Sequence, residues 1–343
     1  WGETNATRDA LDWYKIEFKD EKRTEYKYGD GYRTTKFRVE EIKIKGKKTV
    51  LDTVVYTHHG PVVYDKNFKG DNQKEGYAMK WIGHIGGNNQ RPFLALNKAK
   101  NYNDYLNAIK DFTAPAQNFV FASTDGDIAL WIQGKLPNKW KGQGKFLMDG
   151  SIPENDWQSF IKQPFNAHTK NPKRGFVSSA NQHPVDSSYP YYVFNDGYEA
   201  YRNRVINNFL SSKESIGIQD FKDLQNNNYN LLAAEMLPYI LQTMDTSDLS
   251  EYEQQQLDIM KRWDFTYDKD KVGPGRWDSW WQKLYNLTWD EFNVENTALD
   301  RPFDYHTTYL LRNKGDDPFM NIVDTPEKET AQDLFLLSFK DNA

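Results

Sequence analysis

The chain has 343 residues, with 44 Lys+Arg against 49 Asp+Glu and a formal net charge of −5, a balance that gives nucleic acid no electropositive footprint. Hydrophobic residues make up 38% and include 11 Trp, 21 Tyr and 20 Phe, which excludes disorder as the dominant state. Cysteine is absent, which removes disulfides, thiolate nucleophiles and Cys-ligated zinc, and no apolar window approaches the roughly 18 residues of a membrane span.

Along the chain, Tyr32 to Leu51 reads as strand. Tyr32, Thr34 and Phe37, Val39 alternate, the phase slips at Glu40-Glu41, and Ile42 and Ile44 lead into a Lys45-Gly46-Lys47 turn. The slip predicts a bulge near Glu40. Asn103 to Phe112 predicts a helix, apolar at Tyr105, Leu106, Ile109 and Phe112. Asp125-Gly126, between Phe119-Val120-Phe121-Ala122 and the run starting at Ile128, predicts a hairpin. A further strand is expected over Gly175 to Ser179. After Pro190 the period changes to about 3.6, with Tyr201, Val205, Ile206, Phe209 and Leu210 on one stripe. Helices are expected over Ser250 to Trp263 and Arg276 to Trp289, and from a Thr325-Pro326-Glu327 start to about Phe339. Strands first and helices after argue for an α+β class, sheet-rich over 1–190 and mainly helical over 191–343.

Local motifs nominate little chemistry. The six histidines, His58, His59, His84, His168, His183 and His306, show no metal-ligand spacing and read as packing or surface residues. Asp268-Lys269-Asp270 begins like a calcium loop but continues with Val272 where a third acid is needed. The basic run Lys43 to Lys48 reads as a solvated hairpin edge. No Gly-x-Ser-x-Gly elbow exists, and Ser178-Ser179 lack a spaced His and acid. Two alternatives stay open at this point: a glycoside hydrolase using two of the many carboxylates, and a noncatalytic aromatic-rich binding module.

Several separated stretches together resemble the penicillin acylase family of N-terminal nucleophile hydrolases. They are Trp1-Gly2-Glu3-Thr4-Asn5-Ala6, Thr57-His58-His59-Gly60-Pro61-Val62-Val63, and Gln117 to Ala122 followed by Thr124-Asp125-Gly126-Asp127-Ile128. Further along come Ser179-Ala180-Asn181-Gln182-His183-Pro184, Tyr189-Pro190-Tyr191-Tyr192, Tyr201-Arg202-Asn203-Arg204 and Arg262-Trp263-Asp264. Each is weak alone, and their order and spacing carry the match.

The resemblance implies an αββα sandwich with an attached helical lobe, and hydrolysis of a linear amide to a carboxylic acid and an amine. Acylated β-lactams and N-acyl homoserine lactones are the substrate types it suggests. In the family, a Ser at the head of the β subunit attacks the carbonyl while its own α-amino group takes the proton. The resemblance assigns the backbone N–H of Asn5 and the side-chain amide of Asn181 to the oxyanion, and Arg202 to the surrounding polar network. Glu3 and Gln117 fall at acyl-pocket positions, where their polarity argues against a phenylacetyl-type pocket. No cofactor is required. Calcium is an optional ion, with Asp9 and Asp12 at two ligand positions, while a third position falls near Val193, which has no side-chain oxygen. The resemblance also places the nucleophile upstream of Trp1 and the closing strands of the sandwich beyond Ala343. An internal section of the β subunit is therefore expected, inactive alone, partnered by the rest of its precursor, and exported to the periplasm or medium.

Overall fold

Strands make up most of the regular structure of the first unit, Trp1–Tyr198, and helices that of the second, Glu199–Ala343. The structure, a computed structural model, describes residues 1–6, 8–64, 74–193, 199–293 and 300–341.

In the first unit the chain forms β1 (Gly2–Asn5), β2 (Leu11–Glu17), β3 (Glu25–Tyr28), β4 (Gly31–Thr34), β5 (Lys36–Ile42), β6 (Val50–Tyr56), β7 (Val62–Tyr64) and β8 (Glu75–Trp81). Helices α1 (Gln90–Leu96) and α2 (Tyr102–Ile109) follow. Then come β9 (Gln117–Ala122), β10 (Ile128–Gln133), β11 (Met148–Asp149) and β12 (His168–Lys170). One four-stranded sheet has the order β1-β9-β10-β12 and another the order β11-β2-β8-β7, while β3-β4 and β5-β6 are two-stranded. The Asp125-Gly126 signal holds: β9 and β10 pair from Ile128↔Ala122 to Gln133↔Gln117.

Helices α1 and α2 cover one face of the first sheet, burying Leu96, Tyr105 and Ile109 against Phe119, Phe121 and Trp131. The side chain of Asn101 caps α2 by accepting the Asp104 N–H at 2.9 Å. Within the core, the Tyr105 hydroxyl donates to the Phe119 carbonyl at 2.9 Å, so the buried ring brings no unsatisfied polar end.

Two strand expectations fail. No bulge occurs at Glu40: β5 and β6 stay in register from Lys36↔Tyr56 to Ile42↔Val50. Phe37, Val39, Ile42 and Leu51 are all exposed on this ribbon. A phase slip normally shows which face is buried, and around Glu40 neither face is, burial on the ribbon being confined to Val55 near its end, so the slip forces nothing. Gly175 to Ser179 forms no strand. Its neighbourhood supplies only β12, upstream at His168–Lys170.

The second unit contains α3 (Tyr201–Ser211), α4 (Ile218–Gln225), α5 (Leu231–Thr243), α6 (Glu251–Lys261), α7 (Gly273–Thr288), α8 (Asp304–Asn313) and α9 (Ala331–Lys340). On α7, Trp277, Trp280, Trp281 and Leu284 recur at i, i+3, i+4 and i+7 and are buried against Leu334, Phe335 and Phe339 of α9 and Met236 and Ile240 of α5. Their indole N–H groups are not wasted: Trp280 donates to Ser338 Oγ at 3.0 Å and Trp281 to Asp304 Oδ1 at 2.8 Å.

The last helix begins later than its expected Thr325-Pro326 start. Thr325 instead ties a loop by donating to Glu329 Oε1 at 2.6 Å, and the N-cap is Thr330, which forms a capping box with Asp333. Among the described residues no helix is long and apolar enough to cross a membrane.

Candidate active site

Among the described residues strand β1 is the edge of its sheet, and its ladder has a definite phase. The Ala6 N–H donates to the Ala116 carbonyl at 3.0 Å. Antiparallel pairs alternate, so Asn5, opposite Gln117, turns both its N–H and its C=O away from β9 toward the open edge. The side chain of Asn181 lies along that edge, its Nδ2 donating to the Asn5 carbonyl at 2.8 Å. Asn118 Nδ2 reaches the same carbonyl at 3.0 Å and Thr4 Oγ1 at 3.2 Å, and Thr4 Oγ1 lies 2.5 Å from Ser179 Oγ. Asn181 sits at φ 67°, a left-handed conformation that Asn adopts more readily than other non-glycine residues. The turn therefore aims the amide at β1. One Asn181 amide hydrogen is used on Asn5.

Glu3, Asn5 and Gln117 share one sheet face, since Glu3 stands opposite Phe119 and Asn5 opposite Gln117. Gln117 is buried and Glu3 exposed at its rim, where partial desolvation pushes its carboxyl above the usual range. Arg202 lies in the other unit, on the first turn of α3. There it lines an open groove of about 620 Å³ with Val205, Ile206, Tyr229 and Tyr267.

Asp9 and Asp12 are brought together, but around an ammonium. Lys139 Nζ lies 2.6 Å from Asp9 Oδ1 and 2.6 Å from Asp12 Oδ1, with its side chain 2% exposed. The other Asp12 oxygen accepts the Trp157 indole N–H at 2.5 Å. Calcium asks for six to eight oxygens at about 2.3–2.6 Å. As arranged, these donors do not fit it, because N–H groups occupy both Asp12 oxygens and the ammonium stands where an ion would bridge the two acids. Val193 lines the same small cavity as Asp9 and Lys139.

Two of the histidines that the sequence reads as packing or surface residues, His58 and His59, converge with an acid far along the chain. His58 Nε2 lies 3.1 Å and His59 Nδ1 3.3 Å from the Asp156 carboxylate, and ligand-capable atoms of all three lie within 4.8 Å of one another. Tyr28 donates to Asp156 at 2.7 Å, Tyr26 Oη lies 2.8 Å from His58 Nδ1, and the His59 ring stacks on Tyr14 at 3.9 Å. His59 Nε2 sits 3.1 Å from the Gly150 carbonyl, which only accepts, so that nitrogen carries the proton. Burial, with the neighbouring His58, pushes the His59 pKa down to about 3. Asp156 follows His58 by about a hundred residues, so spacing rules gave no signal. The hint was Thr57-His58-His59-Gly60-Pro61 itself.

The profile of the penicillin amidase family matches residues 1–343. Acyl-homoserine lactone acylase QuiP of Pseudomonas aeruginosa is 24% identical over 245 residues, covering 69% of this chain and 29% of that protein. Penicillin acylase 2 proenzyme of Pseudomonas sp. strain SE83 is 23% identical over 220 residues, 63% of this chain and 28% of that protein. The matched parts thus span under a third of these relatives' length. In structure, a thermostable penicillin G acylase from Alcaligenes faecalis superposes with a TM-score of 0.77 at 16% identity, covering all of this chain and 66% of that one. That likeness establishes the N-terminal nucleophile hydrolase fold, and with a family profile matching from first residue to last, the chain belongs to the penicillin amidase family.

Proposed function

We propose that this chain forms part of an acylase that hydrolyses a linear amide, releasing a carboxylic acid and an amine. The observation that carries the reading is the tether between Asn181 and Asn5, which supports two hydrogen-bond donors at the open edge of β1. Attack on an amide carbonyl turns its oxygen into an anion, and fixed donors aimed at that position act chiefly in the transition state. In this reading the Asn5 N–H and the second Asn181 amide hydrogen receive the oxyanion. Losing one such donor in other acyl-transfer enzymes raises the barrier by about 3–4 kcal/mol.

The nucleophile, in this proposal, is a hydroxyl at a chain start generated outside residues 1–343. Its α-amino group acts as the base, so no His or acid partner is needed. Glu3 and Gln117 border the acyl group and favour a chain with polar character near the carbonyl over a phenylacetyl ring. Arg202 is assigned to the polar network by the family resemblance alone. N-acyl homoserine lactones and acylated β-lactams are the substrate classes suggested by the names of the relatives, and an exported location accords with the same family.

The test is release of a chromogenic amine from medium-chain, long-chain and phenylacetyl anilides by the full-length protein. Turnover that disappears when the proposed nucleophile is replaced, and is missing from residues 1–343 alone, is the expected result. Turnover by residues 1–343 alone, lost on mutation of a residue within them, would place the nucleophile inside the chain and overturn the assignment.

A further inference from the structure

We propose that the Lys139 ammonium is a built-in replacement for the calcium ion implied by the family resemblance, so that this protein folds and holds Asp9 and Asp12 without a metal. The bridging geometry is one observation, with both carboxylates 2.6 Å from Nζ. Three others point the same way.

The first is space. A Cβ built on Gly144 would come within 1.9 Å of Asp12 Oδ1 and 2.9 Å of Lys139 Nζ, so the backbone itself closes over the pair. A calcium ion with bound waters needs room on that side, and the chain has spent it. Gly144 tolerates this approach because it lacks a side chain and sits at φ 80°.

The second is charge. Asp12 stands directly opposite Lys80 across β2 and β8, and the Lys80 and Lys139 ammonium groups lie 5.5 and 5.6 Å from the centre of the Trp157 ring. Arg8 lines the same cavity as Asp9 and Lys139. Two carboxylates thus share this neighbourhood with three cations. A divalent ion added there would meet net repulsion in a site with little water to screen it.

The third is the missing ligand. Val193 lines this cavity and offers an isopropyl group where the resemblance expects an acid. A lysine between two acids and an apolar side chain at the third position together make an internal ion pair where a metal site would need a third acid, and Asp9, Lys139 and Val193 line one small cavity. The lysine is fixed in place by its backbone: Asn138 N–H donates to Ser159 O at 2.9 Å, and Pro137 bridges Phe160.

The inference rests on the cluster and not on the proposed catalytic reading, so it is tested on the folded full-length protein by stability and metal content. Wild-type protein is dialysed against EGTA or against calcium, its metal content is measured by mass spectrometry, and its Tm is followed by scanning fluorimetry. The expected result is substoichiometric calcium and a Tm that agrees within about 1 °C in the two conditions. Stoichiometric calcium in the wild type, or a Tm lowered by EGTA and restored by calcium, overturns the proposal. That arm decides the matter whether or not any variant folds.

Lys139→Ala tests the replacement itself. It leaves one buried and one partly buried carboxylate facing an emptied site, so Tm should fall by about 5 °C or more in EGTA, and calcium should recover part of the loss. Lys139→Ala combined with Val193→Asp supplies a third acid and should show the larger calcium response. A merely structural lysine predicts the fall in Tm without any calcium dependence, and that outcome in both folded variants would refute the idea of replacement.

Discussion

The Asn181 side chain donates to the Asn5 carbonyl across 2.8 Å although 176 residues separate the two. A long-range bond of this kind fixes the turn at 178–182 against the edge of a sheet, and so fixes a side-chain amide beside a main-chain N–H. In the full-length protein, Asn181→Gly should lower kcat by about 10²–10³-fold while KM changes little, because the lost donor acts on the oxyanion and not on the ground-state amide. Glycine accepts the left-handed backbone at φ 67°, so the loss of stability should be confined to the missing Asn181–Asn5 hydrogen bond, about 1 kcal/mol. Asn181→Ala should lose as much turnover and be about 1 kcal/mol less stable than the glycine variant, because alanine carries a Cβ in that conformation. An unchanged kcat in the folded glycine variant would remove Asn181 from the mechanism.

How much of this was legible in the sequence depended on distance along the chain. The β9–β10 hairpin and the Trp-rich face of α7 were readable because their signals, Asp125-Gly126 and the spacing Trp277, Trp280, Trp281, Leu284, are local. The start of α9 was misplaced because two threonines competed. Thr330-Ala331-Gln332-Asp333 is a full capping box, whereas Thr325 precedes a proline but serves a loop. Lys139 was invisible. Nothing near it in sequence distinguishes it from a surface lysine, and its partners lie more than a hundred residues upstream. The Asn5–Asn181 pair emerged only from family resemblance, since an Asn beside a turn is usually explained by the turn itself.

Gly60 makes the Thr57-His58-His59-Gly60-Pro61 segment intolerant of change. Its φ is 141°, and a Cβ placed there would meet the Met79 carbonyl oxygen at 2.2 Å, a main-chain atom that cannot swing aside. The same turn is closed by Thr57 N–H to Gly60 O at 2.9 Å and Gly60 N–H to Thr57 O at 3.2 Å. Gly60→Ala should therefore cost about 2 kcal/mol or more, from backbone strain and displacement of β8 together. Urea unfolding checks this. A variant within about 0.5 kcal/mol of wild type would show that the turn can relax.

In the helical unit, Trp280 is 1% exposed and hydrogen-bonded, while Tyr252 on α6 is 55% exposed. Trp280→Ala empties a large buried volume and leaves Ser338 without its indole donor, and should destabilise by about 3–5 kcal/mol. Tyr252→Ala should fall within about 0.5 kcal/mol of wild type. Comparable losses at the two positions would contradict the placement of the core along α7 and α9.

His59 gives the fold a pH dependence whose sign can be worked out. The ring is buried, stacked on Tyr14, and donates through Nε2 to the Gly150 carbonyl, so it is folded in the neutral form. Burial, helped by His58, pushes its pKa down to about 3, against roughly 6.5 in an unfolded chain. Below pH 6.5 the unfolded chain takes up a proton that the folded one refuses. Stability present at pH 7 is therefore lost as pH falls toward 3, with a slope of up to about 1.4 kcal/mol per pH unit. Asp156 does not confuse the upper part of this range. Against its burial, hydrogen bonds from His58 and Tyr28 hold its carboxyl down to about 2, and an unfolded Asp titrates only near 3.9, so above pH ~5 it is ionised in both states. Unfolding free energies measured by urea between pH 7 and 5 should thus fall for wild type and fall less steeply for His59→Gln, whose amide can still donate to Gly150 but cannot take up a proton. Parallel curves for the two proteins would mean that His59 is protonated in the fold, and that the Asp156 carboxylate beside it outweighs the cost of burying the charged ring.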